Sequence, residues 1–176
     1  VTSPSGLFTQ AIYERLADPD LGFTPCLEVA AEGSDLNLDW LEIDWDALGA
    51  QVFFTSAAPA DIESCTTFKM PMVRISAPST PNENREAAHV FSGSVTATVS
   101  ILVHFEISDA SAPFEKYLDL CEAALLYALN RDEGAGWAAP AAYNNDISFQ
   151  RGQPVRGDSS WRQEITATLT AEVDLL

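Results

Sequence analysis

The stretch SGSVTATVSILVHFEISDASAPFEKYLDLCEAALLYALN, residues 92–130, changes its apolar period halfway along. In its first half Val95, Ala97, Val99, Ile101, Val103, Phe105 and Ile107 alternate with Ser94, Thr96, Thr98, Ser100, His104 and Glu106, and only Leu102 breaks the alternation. Period two is the signature of a strand with one face buried. In its second half Phe114, Tyr117, Leu118, Cys121, Leu125 and Ala128 recur every three or four residues, which makes one apolar stripe of a helix. Asp109 or Ser111 can cap that helix, and Pro113 suits its first turn. Both periods feed one core. A single straight strand over residues 90–107 would reach roughly 60 Å, too long for a compact domain of this size, so it should bend near Gly93 or project outward.

Working outward, Phe8, Ile12 and Leu16 recur every four residues and predict an amphipathic N-terminal helix over residues 5–18, stopped by Asp18-Pro19. Residues 25–31 then read as a first strand. Residues 51–55 and 68–76 are short β-rich pieces, and Pro71 belongs at a strand edge or a bulge because it has no amide donor. Residues 77–89 and 131–145 read as long exposed connections. A hairpin follows, with one arm over residues 146–155, a turn near Gly157, and a second arm in which Ile165, Ala167, Leu169, Ala171 and Val173 alternate with Thr and acids. The expected fold is α+β: an antiparallel β-sheet or sandwich, with the N-terminal helix and the long central helix packed on one face.

The chain has 176 residues, 47% of them hydrophobic, enough for one domain over residues 1–176 with a sizeable core. Its formal net charge of -17 opposes any surface that must hold a phosphate backbone, and equally an anionic membrane surface. No apolar run is long enough to span a bilayer. Residues 1–6 lack the basic start and apolar core of a secretory signal, so assembly in the cytoplasm is expected. Cys26, Cys65 and Cys121 are odd in number and widely spaced, which reads as buried thiols rather than a disulfide framework or a metal site. Lys69 and Lys116 are the only lysines; such an acidic, lysine-poor surface suits a salty medium, where screening softens self-repulsion.

No catalytic constellation emerges, and no enzyme activity, cofactor or metal is expected. A serine or cysteine nucleophile needs a His base, and the two candidates are His89 and His104, the latter on the polar face of the long strand. Gly134-Ala135-Gly136 lacks the setting of a nucleotide loop. Asp35, Asn37, Asp39 and Asp46 are spaced faintly like a calcium loop, but Trp40 stands where that loop needs glycine, so the segment reads as a solvated acidic face. The tripeptide Arg156-Gly157-Asp158 reads as the hairpin turn.

The order of elements resembles a family of phage proteins, the tail terminators or head-to-tail joining (neck) proteins of long-tailed viruses. The likeness rests on GLFTQAIYERLADPDLG as an opening helix closed by Asp-Pro and on FKMPMVRIS as a proline-containing strand. It continues in SVTATVSILVHFEI feeding PFEKYLDLCEAALLYALN and ends in ITATLTAEVDL. It is a likeness of pattern and order over most of the chain. The acidic segment at residues 35–46 departs from the shorter members of the family.

The resemblance implies a virion structural protein that forms a ring, usually a hexamer, on the head-proximal end of the tail tube. Such a ring ends tube polymerisation and receives the head connector proteins, while DNA passes through as cargo. An overlong strand suits this role, because a projecting edge offers unpaired backbone groups that a neighbouring subunit can satisfy. The contact candidates are Val90, Ser92, Ser94, Thr96 and Thr98 on the strand and Asn82, Glu83, Arg85 and Trp137 in the two loops. Asp35, Asp39, Glu42, Asp44 and Asp46 are candidates for an acidic channel or rim that repels DNA. The alternatives are a tail-tube or other connector subunit, and a small-molecule-binding α+β domain.

Overall fold

The computed structural model describes residues 3–55, 70–79, 91–106, 114–130, 141–156 and 160–175. Among these residues the content is mixed α+β: three α-helices and a six-stranded, mostly antiparallel sheet. The helices are α1 (Pro4–Ala17), α2 (Phe23–Ala30) and α3 (Phe114–Leu129), and a short 3-10 turn spans Leu38–Leu41. The strands are β1 (Val52–Phe53), β2 (Met72–Ser79), β3 (Phe91–Glu106), β4 (Ala141–Arg151), β5 (Val155–Arg156) and β6 (Ser160–Leu175). They lie in the order β1-β2-β3-β6-β4, with β5 also paired to β6.

The sheet is organised around β3 and β6. These two strands pair antiparallel from Phe91 opposite Leu175 to Glu106 opposite Ser160, without a register shift. Gly93 sits opposite Val173 inside that unbroken ladder, so pairing is not interrupted where a bend was expected. The long strand is accommodated by an equally long partner. Its alternation holds: Val95, Ala97, Val99, Ile101, Val103 and Phe105 are buried, as are Ile165, Ala167, Leu169 and Ala171 of β6. They share one core with Phe8, Ile12 and Leu16 of α1 and Leu118, Cys121, Leu125 and Ala128 of α3. Burying a Leu, Ile or Phe side chain contributes roughly 1.5–3 kcal/mol, so this shared core holds helices and sheet together.

Leu102 breaks the alternation because it has its own partner: it pairs with Met72 on the opposite face and forms a small second cluster with it. Phe53 and Met70 pack against that cluster, and polar pairs lie beside it. Ser76 bonds Thr98 at 3.0 Å, Ser100 bonds Thr166 at 3.0 Å, and Arg74 forms an ion pair with Glu164. Cross-strand hydroxyl and charge pairs of this kind satisfy the polar groups of that face and stabilise the strand pairing.

Several expectations are corrected. Residues 25–31 do not form a strand; Phe23–Ala30 is helical, with Phe23, Cys26 and Leu27 buried. Pro25 falls in the first turn of α2, where its missing N–H leaves no intrahelical bond unmade. The β2 strand runs on to Ser79, so residues 77–79 belong to the sheet rather than to the loop. Pro71 lies just before β2, after a cis Met70-Pro71 peptide, while the bulge contains Pro78: three steps from Ser76 to Ser79 face two from Thr98 to Thr96. Residues 141–145 are likewise in β4, not in the loop before it. The first hairpin arm is split by one extra residue, since four steps from Arg151 to Val155 face three from Ile165 to Arg162. The capping candidates Asp109, Ser111 and Pro113, as well as Phe68, Val90 and Ile107, lie outside the described residues.

Candidate functional site

The acidic segment is built from the inside out. Leu41, Ile43 and Trp45 are buried while Asp35, Asp39, Glu42, Asp44 and Asp46 are exposed, so apolar side chains anchor a ridge whose acids face solvent. Trp40 stacks on Tyr117 of α3 with ring centroids 5.1 Å apart and meets Phe105 of β3 edge-on at 5.2 Å. Polar contacts fix the backbone as well. Buried Gln51 accepts the Asp44 N–H at 3.0 Å and donates to the Glu42 carbonyl at 3.0 Å, and the Tyr13 hydroxyl donates to the Trp45 carbonyl at 2.9 Å. Burial, with Asp46 and Asp44 adding to it, raises the Tyr13 pKa. The Asn37 side chain accepts the Asp39 N–H and Asp44 the Asp46 N–H, both at 3.1 Å, as in local turns. Among the described residues no group of three or more His, Cys, Asp or Glu is placed to hold a metal ion.

Of the strand candidates, Thr96 and Thr98 pair on both sides, with Ser79 and Ser76 of β2 and with Thr170 and Thr168 of β6. Their backbone groups are therefore committed within the chain. Ser92 and Ser94 differ: they pair with Asp174 and Glu172 of β6, and the last described β2 pair is Ser79 with Thr96. Among the described residues, the β2-side edge of residues 91–95 has no strand beside it. Val90, Asn82, Glu83, Arg85 and Trp137 lie outside the described residues, as do His89, Cys65 and residues 134–136.

His104 lies opposite Arg162 on the polar face. Cys26 and Cys121 are buried thiols, and burial pushes the Cys121 thiol up to about 12, which removes it as a nucleophile near neutrality. Arg156 of the Arg-Gly-Asp tripeptide is in β5, its guanidinium 5.6 Å from the centroid of the Trp161 ring on β6.

Three features escaped the sequence reading. Buried Arg15 donates to the Ala128 carbonyl at 2.8 Å, tying α1 to the last turn of α3. Arg151, at the end of β4, reaches Glu115, Asp119 and Glu122 along one face of α3, at 3.3, 2.6 and 2.9 Å. The i, i+4, i+7 spacing of the three acids was visible, but not the strand that would bring an arginine to them. The third is an open groove of about 730 Å³ between α2 and the end of α3.

The fold thus defines a class: an α+β protein with one long-stranded, mostly antiparallel sheet that shares a core with its helices. No family model matches the chain, and no curated protein is significantly similar to it. No helix among the described residues is long and apolar enough to cross a membrane.

Proposed function

We propose that this chain is a virion structural protein that forms a ring at the head-proximal end of a phage tail, ending tube polymerisation and joining the tail to the head connector. The observation that carries the reading is that, among the described residues, β3 continues past the last β2 pair, Ser79 with Thr96, and no strand lies beside residues 91–95 on that side. An open edge is a template for a strand from another chain. A head-to-tail contact of this kind closes into a ring when its rotation fits, and the resemblance suggests six subunits. Thr96 and Thr98 are paired on both sides within the chain, so Ser92 and Ser94 carry the proposed backbone contact.

The exposed acids from Asp35 to Asp46 fit passage of DNA rather than capture, since a negative surface next to a polyanion raises its local free energy. Tail-tube protein and head connector proteins are the proposed partners, and the virion is the proposed location. Electron microscopy of purified protein and of particles tests the reading. One ring per particle at the head-tail junction is the expected image; many stacked rings would make the chain a tube subunit instead, and a location elsewhere in the particle or the cell would overturn the proposal.

A further inference from the structure

Apart from the strand edge, an apolar surface that the ring reading leaves unexplained is the groove between α2 and α3. Val29 is 64% exposed, Tyr127 51% and Leu126 37%, and with Pro25 they line one continuous depression. A lone exposed apolar side chain is ordinary, whereas several around one concave surface mark a contact site. So open a groove would leave a small ligand largely in water, whereas drug-sized ligands are usually buried on most sides. Its walls are two helices, which is the geometry that receives a third.

Charge decides what kind of helix. From Leu16 to Phe68 the chain has no Lys, Arg or His, and Asp20 stands at the groove itself with Glu28 and Glu32 exposed nearby in sequence. Val29 belongs to the last turn of α2, and Leu126 and Tyr127 to the last turn of α3, where Asn130 follows; neither last turn contains a basic residue. Helix C-termini carry partial negative charge that a nearby cation offsets. Arg15 answers one α3 carbonyl from the core side, at Ala128. A second copy of this chain would bring the same acidic rim against itself.

We propose that the α2–α3 groove docks an amphipathic helix of a partner protein, its apolar side chains set against Val29, Leu126 and Tyr127 and its Lys or Arg residues set against Asp20 and the two helix C-termini. This goes beyond the ring reading and does not depend on it, because the groove and the β3 edge involve different elements.

The test uses the full chain and a Leu/Lys peptide of about four helical turns, with a Leu/Glu peptide of the same pattern as control. The Leu/Lys peptide should bind one to one, and the double variant Val29→Ser, Leu126→Ser should weaken binding about ten-fold or more. Val155→Ser, at an exposed apolar residue elsewhere, should leave binding unchanged. Asp20→Asn should weaken it less than the double variant and reduce its salt dependence. The proposal is overturned if neither peptide binds, if the Leu/Glu peptide binds equally, or if the double variant binds like the parent, which would mean diffuse attraction to an acidic surface. It is also overturned if sedimentation shows self-association that the double variant abolishes. Ring assembly measured on the same double variant should be unaffected, so failure of one proposal is distinguishable from failure of the other.

Discussion

Gly22 sits where α1 turns into α2, and the chain packs so tightly there that a side chain has no room. A Cβ at this position would fall 2.4 Å from the carbonyl oxygens of both Leu16 and Asp18. Asp18 holds the turn by accepting the N–H groups of Asp20 and Leu21 at 2.9 and 2.8 Å. Gly22→Ala should therefore lower stability by about 1–3 kcal/mol, as an overpacked site does, measured as a shift in urea midpoint. Tyr13 makes a different prediction. Burial and the nearby Asp46 and Asp44 disfavour its phenolate, so the folded chain holds this proton more tightly than the unfolded one. Its contribution is whole below the ordinary phenol value of about 10 and is lost as pH rises through the higher folded-state value. Urea midpoints taken across that range should fall for the parent and fall less for Tyr13→Phe, once the loss of the bond to Trp45 is subtracted at neutral pH. Equal alkaline slopes would contradict the assignment.

At the scale of elements, α3 and β4 are joined by the Arg151 cluster as well as by the core. Arg151 is 30% exposed and two of its carboxylates are mostly exposed, so solvent screening limits the cluster. Arg151→Gln should cost about 1 kcal/mol or less, and because three unpaired acids then repel, the variant should gain more from added salt than the parent does. Leu118→Ala, at a fully buried position of α3, should cost about 2–5 kcal/mol in the same assay. The difference follows from which contacts water can replace. It also explains what was legible in the sequence. The α1, α3, β3 and β6 elements are long, and each repeats its apolar period enough times to exclude the other. Residues 23–31, α2 and its C-cap, satisfy both: Leu27, Val29 and Ala31 alternate like a strand, while Phe23, Cys26, Leu27 and Ala30 follow a helix. Over so short a run only tertiary packing decides. The two-residue strands β1 and β5 have no period at all. The outward turn of the acids at residues 35–46 was readable from Leu36, Leu38 and Trp40; the groove was not, because it joins Val29 to Leu126 across about a hundred residues of chain.

For the whole molecule, the net charge of -17 opposes compaction, so sodium chloride raised from about 0.05 M to about 1 M should raise the melting temperature; no change would mean that long-range repulsion is not limiting. Charge also bears on assembly, since subunits of one sign associate only where local contacts outweigh the repulsion. Backbone pairing at residues 91–95 of β3 is the proposed contact. Its most direct test is the mass of the assembled protein, measured by native mass spectrometry and sedimentation over a range of concentration, for the parent and for a variant carrying Ser92→Lys and Ser94→Lys, since lysine on an edge strand discourages pairing. The account predicts that the parent forms one closed species at a fixed multiple of the 19.0 kDa subunit and that the variant, equally folded, stays a monomer. A parent that remains monomeric at every concentration, or a variant that assembles as the parent does, would contradict it.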